Sequence, residues 1–114
     1  MDAKQLKKPY DILRSESNTE AVKKVKSIMT EDELFVLLDN YNWDNGFEVP
    51  EAIINHPNCT LPVALLAFYR ADGLRYLFEG EDVFANRLSK SWEYFIKEVY
   101  DKILKEQYPN GSVS

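Results

Sequence analysis

The sequence predicts an all-α protein, a single compact multi-helix domain with an α-hairpin, solenoid-like, at its centre and a long amphipathic helix at its C-terminal end. Three observations support this: apolar residues recur at helical spacing, helix-capping signals precede these segments, and no pair of strand patterns is evident. With 114 residues there is room for one core. Residues 1–114 are therefore expected to form one domain, with 110–114 as a frayed tail.

The first three helices are predicted from start signals. Pro9 indicates that residues 3–14 form either a kinked helix or a short turn followed by a helix from Pro9. Capping boxes of Ser17 with Glu20 and of Thr30 with Glu33 mark the next two starts. The apolar residues behind these boxes are expected to face a common core: Val22, Val25, Ile28 and Met29, then Leu34, Phe35, Leu37, Leu38 and Tyr41.

A helical hairpin is predicted over residues 50–71. Pro50 fits the first turn of a short helix that ends at His56, and Thr60 caps the next helix. Asp72 and Gly73 are expected to end that helix with a left-handed residue. The hairpin is similar in style to one unit of an α-solenoid, although only one clear copy is visible.

The last part of the chain contains one ambiguous segment and one strong helix. Residues 74–88 alternate in polarity, but a strand there would lack a partner, so helical turns are expected. A helix entered at Ser89 or Ser91 is predicted, and its apolar residues follow at steps of three and four. They are Trp92, Phe95, Ile96, Val99, Tyr100, Ile103 and Leu104, with Lys97, Glu98, Asp101, Lys102 and Lys105 on the other face.

Negative charge is concentrated in the middle of the chain. Residues 31–86 carry two Lys or Arg against eleven Asp or Glu, whereas residues 1–30 carry seven against four and residues 87–114 five against four. Such a field repels phosphates and attracts cationic surfaces. The sequence therefore predicts a basic protein partner and no nucleic acid ligand.

The chain is expected to be cytoplasmic. Its first eight residues lack the apolar core of a secretory signal, and no apolar run reaches membrane length, so no membrane association is expected. A single cysteine cannot form an internal disulfide, which fits a reducing compartment.

His56 and Cys59, the only histidine and the only cysteine, lie three residues apart. A structural zinc site would need two more strong ligands, and carboxylates such as Asp44, Glu48 or Glu51 seldom supply them. A Cys nucleophile and its His base usually come from distant segments, whereas these two share one loop. We therefore expect a packed helix corner, with no catalytic role, metal or cofactor.

The aromatic and acidic turn before this corner is the candidate partner-binding surface. Aromatic anchors ringed by polar groups dominate interface energetics, although packing of Trp43 against the core is favoured over full exposure. Arg70 or Arg75 is expected to form a structural ion pair with the turn. The candidate binding residues are Asp39, Tyr41, Trp43, Asp44, Phe47, Glu48 and Glu51.

About half of the chain resembles a small bacterial domain family of unknown function. The resemblance rests on the turn Tyr41-Asn42-Trp43-Asp44-Asn45-Gly46, on Pro50, Ala52 and Ile53, on His56-Pro57-Asn58-Cys59, and on Ala64, Leu65, Phe68, Tyr69, Ala71, Asp72 and Gly73. It implies a bacterial domain without an assigned activity, cofactor or catalytic residue.

Three functions are compatible with these observations. The favoured one is an acidic protein-binding module, an immunity protein that neutralises a basic toxin such as a nuclease by occluding its active surface. One alternative is a small hydrolase that uses Asp44, Glu48 and His56. The other is a structural or regulatory subunit of a larger assembly.

Overall fold

The computed structural model describes residues 3–80 and 90–110, with side chains from residue 7 onward. Within these ranges the chain forms seven α-helices and one turn of 3-10 helix, and no strand. The all-α prediction is confirmed. The helices are α1 (Ala3–Leu13), α2 (Asn18–Val25), α3 (Glu31–Asp39), α4 (Glu48–Ile54), α5 (Leu61–Arg70), α6 (Gly73–Glu79) and α7 (Lys90–Leu104), and the 3-10 turn is Trp43–Asn45.

The helices stack in two layers. In one layer, α1 packs on α3 and α3 packs on α5. In the other layer, α2 packs on α4. Helix α7 lies beside α4 in this second layer, where the ring of Phe95 contacts the ring of Phe47 at the start of α4. Pairs α1/α2, α3/α4 and α5/α7 each give one helix to each layer, which is the arrangement of an α-solenoid. The predicted hairpin over residues 50–71 is present as α4 and α5, but these helices belong to neighbouring pairs of the stack rather than to one pair.

Hydroxyl caps begin α2 and α3, as the sequence predicts. Ser17 Oγ accepts from the backbone N–H of Glu20 and Thr30 Oγ1 from that of Glu33, both at 3.2 Å. In a regular capping box the carboxylate accepts from the backbone N–H of the cap residue. The carboxylates of Glu20 and Glu33 bond to other groups. Glu20 accepts from the N–H of Glu16 at 3.2 Å, and Glu33 accepts from the Thr30 hydroxyl at 2.8 Å.

Helix α1 continues through Pro9, so the alternative of a helix starting at that proline is wrong. Pro9 is buried, as is Ile12 on the same helix. Packing of α1 on α3 compensates for the backbone hydrogen bond that a proline removes.

The stop after α5 depends on Asp72 alone. Its φ of 68° and ψ of 34° place it in the left-handed region, where Asp is several-fold enriched among non-glycine residues. Gly73 begins α6 and serves a different purpose, because a Cβ atom there would lie 2.6 Å from ring carbons of Phe68. Glycine is required at residue 73 for close packing of α6 on α5.

The buried apolar side chains form one connected core. Most of the predicted stripe residues are in it, including Val25, Leu34 and Phe95. Five others are partly buried and pack against it: Val22, Phe35, Tyr41, Tyr100 and Ile103. Two are exposed: Met29 is 74% exposed and Leu104 is 62% exposed. Met29 follows the end of α2, so helical spacing no longer sets its direction, and Leu104 is the last residue of α7.

The segment after α7 returns to the corner between α4 and α5. The Tyr108 hydroxyl donates to the carbonyl of Ile54 at 2.9 Å, and the N–H of Leu61 donates to the carbonyl of Pro109 at 2.9 Å. Order therefore extends to Pro109. The tail residues 111–114, the start at Ser89 and the helical turns expected over 81–88 lie outside the described residues, whereas α6 confirms helix for 74–79.

Candidate functional site

The acidic turn, defined here as residues 39–51, joins α3 to α4 and is fixed by its own hydrogen bonds. Asn42 Oδ1 accepts from the N–H of Asp44 at 3.0 Å and begins the 3-10 turn. The Tyr41 hydroxyl donates to the carbonyl of Gly46 at 2.9 Å. Gly46 has a φ of 100°, a conformation that only glycine adopts at little cost. The two hydrogen bonds and the glycine therefore stabilise this backbone conformation of the turn.

Four aromatic rings support the turn from below. The ring of Trp43 is edge-on to those of Tyr41, Phe47 and Phe95, with centroids 5.7, 6.0 and 5.7 Å apart. Phe95 belongs to α7 and is 1% exposed. Trp43 is half-buried against the core, as the sequence favours, so the predicted binding aromatics also anchor the turn to α7.

Three exposed carboxylates follow one another on the acidic turn: Asp44, Glu48 and Glu51. Within residues 7–80 and 90–110 none of them forms an ion pair with Lys or Arg. Asn18 of α2 donates from Nδ2 to the carbonyl of Asn45 at 2.8 Å and to Glu48 Oε1 at 3.5 Å. The turn is therefore tied to α2 by an uncharged amide donor, which leaves the negative charge of the turn in place.

A fourth carboxylate comes from α7. Burial is the largest cause that raises the pKa of Glu51. The charge of Glu98 and a hydrogen bond with Glu98 raise this pKa further, whereas the charge of Lys102 lowers it. Asn55 Nδ2 donates to Glu98 Oε2 at 3.1 Å, and the Lys102 ammonium donates to Asn55 Oδ1. Glu48 also contributes, after burial, to raising the pKa of Tyr41. Burial is the largest cause of both shifts, and neighbouring carboxylates add to each.

Asp39, at the end of α3, already has a cationic partner. Its Oδ1 lies 2.6 Å from Nη2 of Arg70 on α5. The predicted structural ion pair is confirmed for Arg70, whereas Arg75 pairs with Asp72 at 3.7 Å and Glu79 at 3.1 Å. Asp39 thus differs from the other candidate carboxylates, since a partner would have to compete with Arg70 for it.

His56 and Cys59 lie at the corner between α4 and α5. His56 Nδ1 accepts from the N–H of Asn58 at 2.9 Å. The backbone carbonyls of Ile28 and Val25 face the ring and favour its charged form. Burial lowers the pKa of His56, and the two carbonyls act against that shift. Cys59 is 2% exposed, and burial raises its pKa to about 12, so the thiol stays protonated. Both side chains hold the joint.

The residues of the hydrolase alternative are spread along α4. Asp44 lies in the 3-10 turn before this helix and His56 follows its end, so seven residues of helix, about 10 Å, separate them. Glu48 and His56 line the same open groove between α2 and α4. In the described ranges, no group of three or more His, Cys, Asp or Glu side chains could hold a metal ion.

Sequence reasoning missed the contribution of α7 to this surface. A groove beside the acidic turn is lined by Phe47, Glu48 and Glu51 on one side and by Lys90 and Tyr94 on the other. The helical pattern places Glu98 on the face of α7 opposite its apolar residues and indicates no partner for it. Its contact with Glu51 joins distant parts of the chain, and no local pattern indicates such a contact.

The fold and the site define a small all-α domain whose helical hairpins stack as in a solenoid and present an acidic turn. A family model described as a domain of unknown function, DUF4274, matches residues 29–104. The match spans well over half of the chain, and the chain belongs to this family. It includes the acidic turn and all helices from α3 to α7.

Comparisons with curated proteins and with solved structures gave no match. Among the helices described, none is both long enough and apolar enough to cross a membrane.

Proposed function

We propose that this protein is an acidic protein-binding module, an immunity protein that neutralises a basic toxin by covering its active surface. The observation that carries the proposal is the group of Asp44, Glu48 and Glu51, exposed and joined by Glu98 of α7. A nuclease is a toxin class that fits, because an active surface that binds phosphates must be cationic. Complementary potentials steer such partners together.

The rigidity of the acidic turn supports this function. Binding costs free energy when loops and side chains become ordered, and a preorganised surface avoids part of that cost. Here the Asn42 cap, the Tyr41 hydroxyl and the aromatic contacts of Trp43 fix the turn before any partner arrives. Trp43 and Phe47 are half-buried and offer apolar area beside the charges.

The crowding of carboxylates also supports a cationic partner. Glu51 and Glu98 repel each other when both are ionised, which is one reason why the pKa of Glu51 is raised. A Lys or Arg side chain placed between them would relieve the repulsion and favour the ionised form. Binding is therefore expected to release protons when it is measured at a pH near the raised pKa.

The test is isothermal titration calorimetry against purified basic toxin domains, nucleases among them, at low and high salt. Replacing Asp44→Asn together with Glu48→Gln is expected to lower affinity by at least about tenfold, mainly through slower association. The matched control is Glu16→Gln with Glu106→Gln, which removes the same charge from exposed positions outside the acidic turn.

Two results would contradict the proposal. One is the absence of binding to every basic toxin domain at low salt. The other is an equal loss of affinity in the Glu16→Gln and Glu106→Gln control, since that would show that affinity depends only on the net charge of the protein. A functional readout is growth protection on co-expression with the toxin that binds, which should weaken with the Asp44 and Glu48 substitutions alone.

A further inference from the structure

The C-terminal end of the helical stack carries most of the exposed apolar side chains. Of the nine exposed large hydrophobic residues among those described, seven lie on α5, α6 or α7: Leu65, Tyr69, Leu74, Leu77, Phe78, Tyr94 and Leu104. The terminal unit of a solenoid normally presents a polar outer face, which keeps the stack soluble and ends it. This end is suited to further packing.

Helix α7 presents a continuous stripe at this end. Lys90, Tyr94, Lys97, Asp101 and Leu104 follow one another at steps of four and three residues, so they lie along one side of the helix. Tyr94 is 78% exposed. Tyr76 of α6 lines the same concave surface as this stripe.

Four charged residues on and beside the stripe, each four residues from the next, alternate in sign. Glu93 pairs with Lys97 and Asp101 pairs with Lys105, each at 3.0 Å, so the signs run negative, positive, negative, positive. Residues at equal distances before and after Val99 carry opposite charges: Glu93 and Lys105, and Lys97 and Asp101. A two-fold axis there would place an antiparallel copy with Lys97 opposite Asp101 and Glu93 opposite Lys105.

The apolar residues obey the same symmetry. Tyr94 and Leu104 are equally distant from residue 99, so an antiparallel copy would bring Tyr94 of one chain against Leu104 of the other. A parallel copy would instead place like charges opposite each other at all four charged positions, which is unfavourable. Charge and shape therefore favour the same antiparallel register.

We propose that the outer face of α7 is a self-association surface, on which two copies of this chain pair as an antiparallel, two-fold symmetric dimer. The face is one helix wide, so the interface belongs to the small class and the dimer forms in a concentration-dependent manner. The four charged residues lie outside the acidic turn, whereas Lys90 and Tyr94 border the groove beside it. The charge variants therefore test this inference separately from the proposed function.

Sedimentation velocity over a micromolar-to-millimolar range tests the proposal. The wild-type chain is expected to shift from monomer to dimer with concentration. Lys97→Glu opposes Asp101 of the second copy with a like charge, and symmetry repeats the repulsion, so dimerisation should weaken at least about tenfold. Lys23→Glu is the matched control, since it makes the same charge change on an exposed residue of α2.

A fourfold reversal makes the test sharper. Glu93→Lys, Lys97→Glu, Asp101→Lys and Lys105→Glu together keep the self-complementary pattern and the pairs within the helix. This chain should form its own dimer but no antiparallel mixed dimer with wild type, because in that register each charge would face a like charge. Tyr94→Ser, which changes no charge, should also weaken dimerisation. Circular dichroism of each variant verifies the helical content.

Four results would overturn the proposal. They are a wild-type chain that stays monomeric at every concentration, equal effects of Lys97→Glu and Lys23→Glu, a reversed chain that fails to self-associate, and a reversed chain that forms antiparallel mixed dimers with wild type. The first excludes a second copy as the occupant of this face. The others exclude the antiparallel charge pairing.

Discussion

The indole ring of Trp43 meets the ring of Phe95 edge to face, with the ring centroids 5.7 Å apart. Trp43 belongs to the acidic turn, and Phe95 is a buried residue of the last helix. The contact joins the candidate binding surface to the core, so the shape of the surface depends on the packing of α7. Substitutions at this contact affect both stability and binding, and the two effects have to be measured separately.

Trp43→Ala is expected to lower the free energy of unfolding by about 3 kcal/mol, because it removes three ring contacts and leaves a cavity above Phe95. Trp43→Phe keeps part of the packing and should cost less. Urea denaturation followed by circular dichroism measures both. Tyr94→Ala, on an exposed aromatic of α7, is the control and should change stability by about 0.5 kcal/mol or less at concentrations where the chain is monomeric. Equal losses for Trp43 and Tyr94 would contradict this account.

Gly73→Ala should lower the free energy of unfolding by about 1–3 kcal/mol through overpacking. The new methyl group would lie 2.6 Å from the Phe68 ring, which is itself stacked on Tyr100 with the centroids 5.6 Å apart. Combining the change with Phe68→Leu should cost less than the sum of the two single changes. A double-mutant cycle in urea measures the difference, and simple additivity would show that the ring does not limit residue 73.

The helices could be predicted because their signals are local. Hydroxyl caps at Ser17 and Thr30, the proline of α4 and the periodicity of α7 each act within one or two turns, and the structure contains those helices. Gly73 shows the limit of such signals. Its position after Asp72 suggests that it helps to end α5 in a left-handed conformation. The structure shows instead that the ring of Phe68 on α5 leaves no room for a Cβ atom at residue 73.

The candidate site could be predicted only in part. An ion pair of Arg70 or Arg75 with the turn could be predicted, because residues 31–86 contain only two Lys or Arg residues, whereas the choice of Arg70 and of Asp39 as its partner could not. The contact of Glu51 with Glu98 could not be predicted either, since it depends on how α7 lies beside α4. Local patterns place residues on helices, whereas the electrostatics of a surface depend on which helices become neighbours.

Stability is expected to depend on the protonation of His56. Burial lowers the pKa of its imidazole in the folded state, so folding favours the neutral ring. The resulting stabilisation is present above the ordinary histidine pKa of about 6.5 and is lost as the pH falls through the lowered value.

Urea denaturation of wild type and of His56→Gln at pH values on both sides of this range tests the expectation. The stability advantage of wild type should shrink toward acid, while carboxylate titrations common to both proteins cancel in the difference. A constant difference across the range would show that the histidine does not contribute in this way.

Cys59 is expected to resist thiol reagents in the folded protein. Burial raises its pKa to about 12, and both the missing thiolate and the missing access slow the reaction at mildly alkaline pH. Modification by a chromogenic disulfide should therefore follow opening of the α4–α5 corner and become fast in urea. Ser91→Cys, at an exposed position of α7, provides an internal control that reacts at once. Equal rates at residues 59 and 91 in the folded protein would contradict the buried placement.

Glu51→Gln is expected to separate stability from binding. Because the folded-state pKa of Glu51 is raised, its contribution to stability is greatest below the ordinary glutamate range and is lost as the pH rises through the raised value. Removing the charge should therefore increase the free energy of unfolding at neutral pH, with the gain disappearing in acid, where both side chains are neutral.

The same change should weaken binding to a basic partner, since it removes part of the negative potential. Denaturation at two pH values and calorimetry with that partner measure the two effects, with Glu106→Gln as control. If Glu51 is a charge retained for binding at a cost to folding, Glu51→Gln should raise stability and lower affinity. A change of stability and affinity in the same direction would argue against that role.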